Sequence, residues 1–151
     1  MLYLAANPAV ALAYFLGSWT CRRGGAHPRT MKTQVAWSIG HTWLRADTSS
    51  PTSIAPGRPF IGTQYLTYSP VSKRFVSMNL NNFGGYWIAE SNGWNRNRLV
   101  WIDQSTEDGE RGITTIRRLS ANSYRVHEDL TLRGQPEPSP ADVLCTRKNT
   151  T

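Results

Sequence analysis

Gly17-Ser18-Trp19-Thr20-Cys21-Arg22-Arg23 near the start of the chain and Val143-Leu144-Cys145-Thr146-Arg147-Lys148 near its end decide the fold when they are read together. Take Ser18 to Arg23 as a first strand and Val143 to Lys148 as a last, antiparallel beside it, with Trp19 opposite Arg147. The same register sets Cys21 opposite Cys145, the only two cysteines of the chain. Side chains alternate along a strand, so all four residues stand on one face of the pair. Directly opposed residues lie about 4.5–5.5 Å apart, within the span of a disulfide. Terminal strands that pair close a sheet into a barrel. The competing reading is two unrelated buried cysteines and a core tryptophan.

The sequence between these strands is punctuated as a barrel requires. Asn7 can cap a helix whose first residue is Pro8, because a proline loses no hydrogen bond in a first turn; Gly17 ends that helix after Phe15. Residues 31–39 and 42–48 form a hairpin about Gly40-His41. In the register that sets Ile39 opposite Thr42, Trp37 faces Leu44 and Val35 faces Ala46. Gln34, Ala36, Ser38, Trp43, Arg45 and Asp47 then make a mainly polar second face. A Ser-, Thr-, Pro- and Gly-rich loop covers Thr48 to Pro59, and further strands are predicted at 60–68, 74–81, 86–91, 97–103, 112–119 and 123–132. Turn chemistry separates them: Ser69-Pro70, Asn82-Phe83-Gly84-Gly85, Asn92-Gly93, Glu107-Asp108-Gly109 and Ala121-Asn122. Arg133-Gly134 turns the chain, and Pro136 to Pro140 reads as a stiff linker into the last strand. The expected fold is all-β, one domain over residues 1–151. It is a closed antiparallel up-and-down β-barrel of about ten strands, with the short N-terminal helix plugging one end over Trp19.

Gly17-Ser18-Trp19 on the first strand, after an apolar helical turn and answered by Arg147 on the last, resembles the calycin superfamily. That group includes lipocalins, fatty-acid-binding proteins and nitrobindins. Within it, the chain looks most like small bacterial lipocalin-like domains of unassigned function. The resemblance implies a barrel that takes a small amphipathic ligand into its cavity. It gives Trp19 and Arg147 a structural role. Nitrobindins hold haem through a histidine on the final strand; here that strand has none, so no cofactor is expected, and His127 is the residue that could substitute.

At 151 residues the chain can bury a sizeable core without a metal. Its net charge of +7 is uneven: residues 1–89 carry eight basic residues against the single acid Asp47, whereas residues 90–151 carry nine of each sign. A basic half attracts anions, so an anionic group on the ligand is one option, and solubility alone is the other explanation. The charges are scattered, so no nucleic-acid tract stands out. Opposed cysteines suggest an oxidising, extracytoplasmic compartment, periplasmic or secreted. The apolar stretch before Gly17 reads as the plug helix, with any export signal already absent, and no segment is long enough to span a bilayer.

Catalytic signals are thin. No metal spacing, nucleophile elbow or phosphate loop is present. Arg125, His127 and Asp129 alternate onto one face of a strand, read as a solvated outer face against Tyr124, Val126, Glu128, Leu130 and Leu132. Were that triplet to face inward, His127 would offer acid–base chemistry. Tyr65, Tyr68, Tyr86, Trp87 and Trp101 are candidates for a pocket lining, or they simply fill the interior. The predicted ligand residues are Tyr65, Tyr86, Trp87, Trp101 and His127. Three functions follow. The first is a binding module for a small amphipathic molecule. The second is a cofactor-free isomerase or cyclase using His127, Glu90 or Glu128 as acid or base. The third is an interaction protein with a basic surface and a filled core.

Overall fold

The fold is that of a computed structural model, which describes residues 7–25, 28–51, 58–106, 111–132, 135–136 and 141–148. Twelve strands follow a short helix at Pro8–Phe15: β1 Gly17–Arg23, β2 Arg29–Ser38, β3 Trp43–Ser50, β4 Phe60–Ser69, β5 Arg74–Asn81, β6 Tyr86–Ser91, β7 Trp94–Asn95, β8 Arg98–Thr106, β9 Arg111–Ser120, β10 Ser123–Leu132, β11 Gln135–Pro136 and β12 Ala141–Arg147. All pairings are antiparallel, each stave of the wall pairing with the next along the chain, and β12 returns to β1, so the wall closes. The wall has ten staves, because two are interrupted. β6 and β7 both pair with β8, on either side of a break at Asn92-Gly93, and β11 and β12 both pair with β10.

The seam has the register that the terminal segments dictate: Trp19 opposite Arg147 and Cys21 opposite Cys145, the two cysteines joined in a disulfide. The first hairpin likewise pairs Val35 with Ala46 and Trp37 with Leu44, with Val35, Ala46 and Leu44 buried. Besides shifted strand ends, such as β8 reaching Thr106, and the unpredicted two-residue β7, three details differ from the sequence reading. The N-terminal helix takes the tighter 3₁₀ form, its Asn7 side chain accepting from the Ala9 N–H. β3 runs on to Ser50, inside the stretch read as loop. Gln135–Pro136 pairs with Thr131 and Leu132 instead of serving purely as linker; proline is tolerated there because a two-residue rung at a sheet edge asks little of its missing donor. The expected turns at 107–110 and 133–134, residues 52–57 of the expected loop, residues 137–140 of the expected linker, and His27 lie outside the described residues.

The helix closes one end of the barrel, and aromatic and cationic side chains hold it there. Leu12 is fully buried, Trp19 is 1% exposed, and the Trp19 indole N–H donates to the Phe15 carbonyl at 2.7 Å. The Arg147 guanidinium lies 4.3 Å from the Trp19 ring and donates to the carbonyls of Leu16, Tyr14 and Ala121. Gly17 makes this reach possible. It has φ +111°, and a Cβ there would come within 3.1 Å of the guanidinium. A second cation was not foreseen. Arg118 sits 3.7 Å from the Trp94 ring and 4.3 Å from the Tyr14 ring, while the Trp94 indole N–H donates to the Ala11 carbonyl. Because the strands alternate in direction, the ends of β3, β5, β8 and β10 meet at the opposite rim.

Candidate functional site

Between the plug and that rim, the inward side chains leave a cavity of about 290 Å³. Strand parity explains which residues reach it. On β8 the inward series runs Leu99, Trp101, Asp103; on β9, Gly112, Thr114, Ile116; on β10, Tyr124, Val126, Glu128. Phe15, Val35, Leu66, Ile116 and Val126 supply apolar wall, and Trp87 and Trp101 add two indoles. Gln64 and Asn79 both donate side-chain N–H bonds to the Ser77 hydroxyl, at 2.8 and 2.9 Å, which leaves carbonyl oxygens as the other hydrogen-bonding ends of the two amides.

Among the described residues the charged lining is acidic. Among the described lining residues Asp103 and Glu128 are the ionisable acids, and none is Lys, Arg or His. Asp103 is raised above the ordinary carboxylate range, chiefly by burial, with the Gly112 backbone N–H pulling the other way. Gly112 gives that carboxylate room. A Cβ there would meet Asp103 Oδ2 at 2.6 Å and Leu130 at 2.8 Å, so the bare backbone is the space into which the carboxylate leans. The Trp101 indole N–H is buried and has no hydrogen-bond partner among the described residues. The basic charge of the N-terminal half is thus not found among the described lining residues, whereas two carboxylates are.

Of the residues expected to bind ligand, Trp87 and Trp101 line the cavity, whereas Tyr65, Tyr86 and His127 do not. Tyr65 pairs with Met78 on the outward parity and lies under the Arg45 guanidinium, and Tyr86 is 46% exposed. Tyr68 packs edge-on against Phe75 in the core. Of the acid–base candidates, Glu128 lines the cavity, while Glu90, paired with exposed Ile102, and His127 lie on the outer parity.

His127 belongs to the solvated face, as its alternation with Arg125 and Asp129 implied. Its Nδ1 lies 3.1 Å from Asp142 and its Nε2 lies 3.2 Å from Asp129. The Asp142 hydrogen bond, helped by the Asp129 charge, raises its pKa, because both carboxylates favour the imidazolium. A raised folded pKa stabilises the fold fully below the unfolded value of about 6.5, and that contribution is lost as pH climbs through the folded pKa. Since the pair is exposed, the effect on stability is small. A proton NMR titration should therefore find His127 half-protonated above pH ~6.5, and Asp142→Asn should bring it back down. An unshifted wild-type titration would contradict the contact.

The chain matches no known family model and no curated protein. Among the described residues no helix is long and apolar enough to cross a membrane, and no cluster of three or more His, Cys, Asp or Glu could hold a metal ion.

Proposed function

We propose that this protein is a small-molecule-binding barrel of the calycin kind, working outside the cytoplasm, whose cavity takes a compact amphipathic ligand. The observation that carries this is the cavity itself, walled by Trp87, Trp101 and aliphatic side chains and edged by Gln64, Asn79, Asp103 and Glu128. An apolar wall with a few placed polar groups is the usual composition of a ligand site. Its volume of about 290 Å³ is at the small end of such sites, which favours a ligand shorter than a fatty acyl chain and far smaller than a haem. The intramolecular disulfide supports an oxidising location, periplasmic or secreted. A second reading, confinement catalysis without a cofactor, is favoured by one observation: the Asp103 carboxyl is held above its usual range inside the same cavity.

2-Phenylethanol is a compact neutral amphipathic probe. At about 0.5 kcal/mol for each of its roughly nine non-hydrogen atoms, it should bind one-to-one with a Kd of about 0.5 mM by calorimetry. Trp87→Ala should weaken this about five- to tenfold, as loss of an aromatic wall worth ~1 kcal/mol or more. Tyr86→Ala, one residue away on the outer face, should leave it within about twofold. No binding, or equal sensitivity at the two positions, would refute a site inside the barrel.

A further inference from the structure

We infer that the cavity selects organic cations, compact molecules carrying a protonated amine, which Asp103 and Glu128 hold by charge between the indoles of Trp87 and Trp101. This deepens the binding reading above and rests on it. Trp101, Thr114 and Glu128 stand in one row across β8, β9 and β10, because Trp101 pairs with Thr114 and Thr114 with Glu128. Asp103 is the next inward residue of β8 and leans over bare Gly112, toward the strand that carries Glu128. On its other side β8 meets β6, where Ala89 pairs with Asp103 and Trp87 is the next inward residue. Two carboxylates and two indoles thus come from neighbouring staves of one wall.

Three further facts point to a cation. The protein is strongly basic, yet its cavity lining has two acids and, among the described residues, no base. Among the described residues the burial that raises Asp103 is opposed by the Gly112 backbone N–H, and a bound ammonium would favour the carboxylate further. Indole faces attract cations, most strongly when desolvated. A metal ion fits less well. Hard cations require six or more oxygens, and tryptophan walls offer none.

The test uses three probes of matched shape against the intact disulfide-bonded protein: 2-phenylethylamine, 2-phenylethanol and 3-phenylpropanoate, each titrated by calorimetry near neutral pH at low salt. The amine is expected to bind about tenfold or more tightly than the alcohol, one charge-assisted contact being worth about that factor. The propanoate is expected to bind more weakly than the alcohol. Asp103→Asn and Glu128→Gln should each reduce the amine's advantage about threefold or more, and the double variant should abolish it. The advantage is taken as the ratio of amine to alcohol affinity within each variant, so a change in the cavity that affects both ligands cancels, and residual alcohol binding shows that the barrel is folded. Equal binding of amine and alcohol, preference for the propanoate, or an amine advantage that survives in the double variant would overturn cation selectivity while leaving the binding barrel standing. If none of the three binds, the binding reading itself falls.

Discussion

Trp19→Ala is expected to lower folding stability by about 3–5 kcal/mol, the range for truncating a large buried aromatic. The upper half of that range is the better expectation, because Trp19 has several partners. Its indole N–H satisfies the Phe15 carbonyl at the end of the plug, its ring meets Tyr124 edge-on at 4.8 Å, and its face carries the Arg147 guanidinium. Truncation leaves the carbonyl without a donor and the cation without its ring, while Arg147 still spans the carbonyls of Leu16, Tyr14 and Ala121. At a urea dependence of about 2 kcal/mol/M, the unfolding midpoint should fall by roughly 1.5–2.5 M. Trp19→Phe keeps the ring but not the N–H and should lose less. A midpoint within about 0.3 M of wild type for the alanine variant would mean that the plug is not anchored here.

The second large effect belongs to the disulfide. A closed barrel must bring its first and last strands together, and this seam carries the greatest loop-closure cost in the fold. Cys21 and Cys145, 124 residues apart, cross-link that seam. In the chain-entropy model a loop of this length stabilises by about 5 kcal/mol, and removing a native disulfide from a small secreted domain typically costs about 2–5 kcal/mol. Mass spectrometry of unreduced, alkylated protein should find no alkylated thiol. Reduction, or the double substitution Cys21→Ala/Cys145→Ala, should bring the urea midpoint down by more than 1 M. Two alkylated thiols in the untreated protein would refute the bond.

Where the two faces of a strand contrast, the sequence can be read directly. The seam is legible because a large aromatic and a thiol alternate with Thr20 and Arg22, and because each has a partner at matching spacing on the final strand. The first hairpin is legible for the same reason, with Val35, Trp37, Leu44 and Ala46 on one side and Arg45 and Asp47 on the other. β4 and β6 lack that contrast. Tyr65 and Ile61 point out while Gln64 and Gly62 point in, and Tyr86 and Ile88 stand outside Trp87 and Ala89. Exposed Met78, Leu80, Ile102 and Ile113 further blur the distinction, so aromatic character alone put Tyr65 and Tyr86 in the pocket. A bulge between Ile88 and Ala89 also shifts the register against β8. Asp103 did leave a trace, since Leu99, Trp101 and Asp103 share one parity and the first two are plainly core. The Arg118–Trp94 stack left none, because it depends on the break at Asn92-Gly93 that swings Trp94 under the helix.

The most direct test of the account follows the six tryptophan indole N–H signals in a proton–nitrogen correlation spectrum during titration with 2-phenylethylamine. Single Trp→Phe variants assign the signals. A ligand inside the barrel should move the signals of Trp87 and Trp101, which line the cavity, and leave Trp43, which does not, in place. Shifts confined to Trp43, or six unmoved signals at saturating amine, would contradict it.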